Sequence, residues 1–150
     1  MKALTTLLVI GMFATAVAVA DDADDVKAAV QRHYAALNAG DASALMQLQA
    51  AESTRFGPRG ELLEKFDSRE ERRNQQAVFE AGPKYNLQGR HIDVRLYGSS
   101  TAVATSYGVG SLTFSDVTRQ VNNRITAVLI KQGGQLKVVH RHISPVVLLQ

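Results

Sequence analysis

Four stretches of alternating apolar and polar residues fill the C-terminal half of the chain. They are residues 87–97, 101–114, 120–131 and 136–147, and short segments of three to five residues that contain Gly, Ser or Asp lie between them. A period of two is that of a half-buried β-strand, and links this short allow only antiparallel pairing of successive strands. The sequence therefore predicts an antiparallel meander of four long strands.

The N-terminal half has the helical period instead. Apolar residues at steps of three and four predict a first amphipathic helix: Val26, Ala29, Val30, Tyr34 and Leu37. We expect Asp24 or Asp25 to cap its start and Gly40 to end it, because glycine readily adopts the left-handed conformation found after helices. Asp41 is then expected to cap a short second helix.

A short strand and a turn, around Phe56 and Gly57-Pro58, follow the second helix. A capping box that begins at Ser68 predicts the start of a third helix, and this helix is expected to continue to Glu80 or Ala81. The order is helix, helix, strand, helix and a long meander. This order predicts an α+β fold with the helices on one face of a bent sheet.

Residues 1–20 have the layout of a secretory signal peptide. Lys2 precedes an uncharged run that ends in Ala18-Val19-Ala20, small residues at both recognition positions. We expect cleavage after Ala20, which would place a single domain, residues 21–150, in the periplasm or outside the cell and off the membrane. A transmembrane anchor is the alternative, since the run approaches membrane-spanning length.

Composition excludes several classes of function. The chain has no cysteine, so thiol chemistry, thiolate metal sites and disulfides are impossible. Lysine and arginine number 17 against 14 acidic residues, a formal net charge of +3. This excess is small and no basic run is interleaved with aromatic residues, which argues against nucleic acid as a partner.

Three stretches carry a resemblance to a known family: HYAALNAGDASALMQL, TRFGPRGELLEKF and RITAVLIKQGGQLKVVHRHIS. They resemble the opening helix pair, the first hairpin and the last two strands, with their His-x-His-x-Ser, of the SnoaL-like branch of the nuclear transport factor 2-like superfamily, which includes ketosteroid isomerase. The resemblance implies a cone-shaped fold, in which N-terminal helices pack in a strongly curved antiparallel sheet and leave a cavity. It also implies a homodimer formed through the outer face of the sheet.

The last two predicted strands supply the candidate site. His140 and His142 share one strand face, Asn122 and Arg124 share a face of the preceding strand, and the hairpin brings the strands together. The resemblance favours a position near the cavity for these residues. We therefore predict a ligand-binding site made by Arg124, His140, His142 and Asn122, with Tyr34 from the first helix. Because arginine binds carboxylates bidentately, the predicted ligand is a small anionic or carbonyl-bearing organic molecule.

Two other classes of function stay open. The same frame also hosts isomerases, dehydratases and hydrolases, and in an enzyme the catalytic candidates would be His140, His142 or Asp93. A homodimeric interaction module with a vestigial cavity is the third possibility. The His-x-His motif has the spacing of two metal ligands, but no acid lies near it in sequence and an arginine beside it would repel a cation. We therefore predict no metal and no cofactor.

Overall fold

The computed structural model describes residues 14–59, 64–66 and 70–147 of the chain. Three helices and six strands follow one another within these residues. They are α1 (Ala14–Ala39), α2 (Ala42–Gln47), β1 (Gln49–Phe56), β2 (Glu64–Phe66), α3 (Glu70–Glu80), β3 (Lys84–Tyr97), β4 (Thr101–Phe114), β5 (Val117–Gln132) and β6 (Gln135–Pro145).

The strands form one sheet in the order β2-β1-β6-β5-β4-β3. Strands β3 to β6 are the predicted meander, and each pairs antiparallel with the next. Strand β1 lies beside β6 and is parallel to it, while β2 pairs antiparallel with β1 at the edge. The sheet is curved and does not close. The predicted α+β fold, with N-terminal helices packed in a curved, mainly antiparallel sheet, is therefore confirmed.

Local sequence determines where the first two helices meet. Gly40 follows α1 with a φ of 65°, and the side chain of Asp41 accepts a hydrogen bond from the Ala44 amide at 2.8 Å. Both predictions, a glycine stop and an aspartate cap, are confirmed. The side chain of Asn38 then fixes α1 to the sheet, because its amide donates to the Leu87 carbonyl and its oxygen accepts from the Leu87 amide, each at 2.8 Å.

The predicted start of the first helix is wrong. Helix α1 begins at Ala14, so neither Asp24 nor Asp25 is at its N-terminus, and Asp24 instead pairs with Lys27 at 2.9 Å. Helix α1 includes the end of the predicted signal peptide, whose residues 1–13 lie outside the described residues. Ser68 of the predicted capping box also lies outside them. No helix in the described part of the chain is long and apolar enough to span a membrane.

The core lies where α1 packs on the sheet. Its buried residues are Val26 and Ala29 from the helix and Ala102, Ala104, Ala127, Leu129 and Val138 from the sheet. Alanine occupies three of the sheet positions, and its small side chain allows the helix to approach the strands closely. Only Leu129 among the sheet residues is both large and almost fully buried, at 1 % exposed. The small side chains also leave space for a cavity.

Candidate functional site

A cavity of about 30 Å³ lies between α1 and the concave face of the sheet. Its polar end is formed by His33, Tyr34, Ser106 and Arg141. The remaining wall is apolar, with Ala29 and Val30 from the helix and Ala104, Ile125, Ala127, Leu129 and Val138 from the sheet. Since about 10–15 Å³ accommodates one water molecule, the space holds roughly two or three groups of that size.

Arg141 and His33 face each other at the polar end. Arg141 Nη2 lies 2.8 Å from His33 Nδ1, and Nη1 contacts Nε2. No carboxylate in the described part of the chain lies within ion-pair distance of Arg141. A guanidinium removed from water without a negative partner is electrostatically costly, so this arrangement is unusual for a residue with only a structural role.

The environment shifts the pKa of each ionisable group at this end of the cavity. Burial lowers the pKa of His33 well below its usual value, and the charges of Arg141 and Arg55 lower it further. Burial also lowers the pKa of Arg141 to about 10. The same cause raises the pKa of the Tyr34 hydroxyl, which the charge of Arg141 partly offsets. At neutral pH the site therefore holds a neutral imidazole, a neutral phenol and a cationic guanidinium.

Two glycines position Tyr34. Gly89 on β3 and Gly108 on β4 are directly opposite each other in the sheet. A Cβ atom at Gly89 would lie 2.7 Å from the Tyr34 ring, and one at Gly108 would lie 2.8 Å from its hydroxyl oxygen. The Tyr34 ring thus packs directly against the strand backbone, and a close approach of this kind is a common reason for glycine within a strand. The Tyr34 hydroxyl is buried without a hydrogen-bond partner. The Ser106 side chain is near enough to lower the pKa of Tyr34, but the two hydroxyl groups are not placed to form a hydrogen bond.

The predicted strand pairing is correct, but the predicted face is wrong for most site residues. Arg124 pairs with Ser144 and Thr126 with His142, so the arginine and the histidines do share a face. That face is the outer one: Asn122, Arg124 and His142 are exposed. None of these residues, nor His140, lines the cavity. Of the predicted set, only Tyr34 does.

A β-bulge in β6 is the reason that His140 and His142 lie on the outer face. Leu129 pairs with Val138, whereas the preceding residue, Val128, pairs with His140. Val139 is therefore an extra residue, and every side chain beyond it changes face. Val138 and Arg141 consequently both line the cavity, although an uninterrupted strand would place them on opposite faces.

The histidines belong instead to an outer-face cluster with Phe56 and Thr54. The Phe56 ring meets the rings of His140 and His142 edge to face, with centroids 5.9 and 5.6 Å apart. His140 Nδ1 is 2.8 Å from the Thr54 hydroxyl oxygen. Asp93 is also exposed, and its carboxylate lies 3.9 Å from Arg95 Nε, within ion-pair distance. These contacts explain the positions of His140, His142 and Asp93, and none of the three side chains lines the cavity.

Sequence reasoning missed His33, Ser106 and Arg141. A signal for Arg141 was present in β6: apolar Leu136 and Val138 occupy even positions, whereas Ile143 occupies an odd one, and such a change of parity indicates a bulge. His33 lies one helical turn beyond Ala29, so the apolar stripe of α1 already directs it inward. Ser106 follows Ala102 and Ala104 at steps of two along β4, so its side chain is directed to the same face of the sheet. No group of three or more possible metal-ligating side chains occurs in the described residues.

Comparisons with known proteins agree with this fold. The sequence profile of the SnoaL-like domain matches residues 26–148. No curated protein is significantly similar in sequence. A candidate dehydratase of the nuclear transport factor 2-like family from Streptomyces avermitilis has a TM-score of 0.75 at 18% identity, with 87% of this chain and 99% of that chain covered.

Two further solved structures have the same fold. A ketosteroid isomerase-like protein from Erwinia carotovora atroseptica has a TM-score of 0.69 at 16% identity, covering 85% of this chain and 98% of its own. A candidate calcium/calmodulin-dependent protein kinase II association domain from Xanthomonas campestris has a TM-score of 0.69 at 22% identity, covering 83% and 88%. At such identities the likeness concerns the fold. The match over residues 26–148 shows that the chain belongs to the SnoaL-like domain family, and the solved structures show that it shares the fold of nuclear transport factor 2-like proteins.

Proposed function

We propose that the chain is a small-molecule-binding domain that holds an organic ligand with an anionic or carbonyl group in the cavity between α1 and the sheet. The observation that carries the proposal is Arg141, whose guanidinium lines this cavity without a carboxylate partner in the described residues. A ligand that supplies negative charge or strong acceptors would offset the cost of burying that cation. The unpartnered hydroxyl of Tyr34 offers such a ligand a second donor.

The lining supports binding better than acid–base catalysis. An isomerase, dehydratase or hydrolase acting in this cavity needs a general base, and no Asp or Glu is among the described residues that line it. His33 is the remaining candidate. Burial and the adjacent charge of Arg141 oppose the protonation that a base must undergo during catalysis. The relatives described as dehydratase or isomerase-like are too distant to transfer an activity.

Thermal shift with a small panel of carboxylates, ketones and amides tests the binding proposal. A ligand that binds only the folded state raises Tm by mass action. We expect at least one class to stabilise the wild type and Arg141→Gln to remove that shift. Arg124→Gln is the matched control, because Arg124 is exposed on the outer face and should not affect binding. Equal shifts in the two variants would rule out the cavity as the binding site.

We also propose that the protein is exported and cleaved after Ala20, and that it acts in the periplasm or outside the cell. The support is the uncharged run that ends in Ala18-Val19-Ala20. Expression of the full chain in a bacterium with a Sec pathway should yield a mature protein that begins at Asp21. A membrane-bound product that retains Met1 would contradict export and would favour the anchor.

We propose in addition a homodimer formed through the outer face of the sheet. Exposed aromatic side chains on this face support it, among them Phe56 at 39% and Tyr107 at 43% exposure. Light scattering after size exclusion should give twice the chain mass, and Phe56→Glu should lower it towards the monomer. If both proteins are monomeric, the dimer proposal is wrong, while the binding proposal is unaffected.

A further inference from the structure

The polar end of the cavity contains more hydrogen-bond donors than acceptors. The guanidinium of Arg141 has donors only, and a neutral imidazole has one accepting nitrogen and one N–H group. Both ring nitrogens of His33 nevertheless face nitrogens of Arg141, Nδ1 at 2.8 Å from Nη2 and Nε2 beside Nη1. One of the two contacts therefore sets an N–H group against another N–H group. Rotation of the ring exchanges the two nitrogens but does not remove this mismatch.

Tyr34 adds a third donor to the same space. Its hydroxyl is buried without a partner, and its ring meets that of His33 edge to face at 5.8 Å. Donors from Arg141, His33 and Tyr34 thus converge, and within the described residues no carboxylate reaches them. The group that would satisfy all three is a negatively charged acceptor with more than one oxygen atom.

The rest of the cavity restricts what can be attached to that acceptor. Its wall is apolar, and three alanines, Ala29, Ala104 and Ala127, surround it. A cavity of about 30 Å³ holds roughly two or three water-sized groups, which is the size of a carboxylate group with at most a methyl tail. A second carboxylate would meet only apolar side chains at the far end and would be unsolvated there.

We infer that the ligand is an aliphatic monocarboxylate of one or two carbons. Its carboxylate lies among Arg141, His33 and Tyr34. Its tail packs against the three alanines, Ala29, Ala104 and Ala127. This inference rests on the proposed function, because it names the ligand class of the same cavity. The carboxylate supplies the missing acceptor, and the tail replaces water against apolar surface.

Isothermal titration calorimetry of the full chain with sodium formate, acetate, propionate, succinate and nitrate, and with acetamide, tests the ligand class. Acetate should bind about fourfold more tightly than formate, since one additional carbon is buried. Nitrate has a similar planar shape without a tail and should bind more weakly than acetate. Propionate, succinate and acetamide should not bind. Tyr34→Phe should weaken acetate binding about tenfold, because a hydrogen bond to a charged group is lost.

A variant that fills the tail end separates the ligand class from simple anion binding. Ala127→Val adds two methyl groups to the wall and leaves the polar end unchanged, so formate binding should persist while acetate binding is lost. Ala29→Val makes the same test from the helix side if the first variant does not fold. Retention of acetate binding in a folded variant would show that the tail does not occupy this space.

The outcomes also distinguish this inference from the proposal on which it rests. If nitrate binds as tightly as acetate, the site takes any small anion and the inference is wrong. If acetamide, propionate or succinate binds in a manner that requires Arg141 while acetate does not, the inference is again wrong and the proposed function stands. If no probe binds in a manner that requires Arg141, both are wrong.

Discussion

Acidification should destabilise the folded domain through His33. Burial first, and then the charges of Arg141 and Arg55, hold the pKa of this histidine well below its usual value, whereas in the unfolded chain it titrates near 6.5. In the window between the lowered pKa and about 6.5, the unfolded state therefore binds one more proton. The free energy of unfolding increases with pH across that window and decreases as the pH falls below about 6.5.

The expected magnitude follows from one proton. The slope approaches about 1.4 kcal/mol per pH unit, so a change from pH 7.5 to 5.5 costs about 1.4 kcal/mol, because the effect begins only near 6.5. For a domain of this size that is about 4 °C in Tm. The neighbouring groups do not titrate in this range, since the pKa of Arg141 is about 10 and burial raises that of Tyr34.

Urea unfolding followed by circular dichroism at pH 7.5, 6.5 and 5.5 measures this dependence. The buffers should contain no carboxylate, which would bind the proposed site. The decrease in the free energy of unfolding should be about 1.4 kcal/mol smaller in His33→Gln than in the wild type. His142→Gln is the control, because it removes an exposed histidine on the opposite face of β6 from Arg141, and it should retain the wild-type dependence. An equal loss of stability in His33→Gln and the wild type would refute the argument.

Three further substitutions test the packing that positions the site. Leu129→Ala should lower the free energy of unfolding by about 2–5 kcal/mol, because the side chain is only 1% exposed, whereas Val147→Ala, at 71% exposure, should have almost no effect in the same urea titration. Asp41→Ala should cost about 1 kcal/mol through the lost helix cap, and Asp41→Asn should restore most of it. Gly108→Ala should lower the free energy of unfolding by about 1–3 kcal/mol and weaken ligand binding, because the new Cβ would lie 2.8 Å from the Tyr34 hydroxyl oxygen. Unchanged binding in calorimetry would contradict the described position of the Tyr34 ring.

Local patterns were sufficient wherever structure depends on neighbouring residues. The alternation after residue 84 and the short Gly-rich and Ser-rich links correctly predicted the antiparallel meander, because a period of two and a two-residue turn leave few other arrangements. Gly40 and Asp41 correctly marked the junction of the first two helices, since capping involves atoms only a few residues apart. The SnoaL-like motifs gave the same fold.

Only the tertiary structure decided which face of the last strands meets the helix. One extra residue in β6 exchanges the faces, so Arg141 enters the cavity and His142 leaves it. Pairing between strands, and not their sequence period, shows where that residue is inserted. His33 and Arg141 are 108 positions apart in the sequence, and no local pattern specifies a contact between residues so far apart. The sequence by itself therefore determined the elements and their order, whereas the site depends on strand register and helix packing, which are properties of the whole fold.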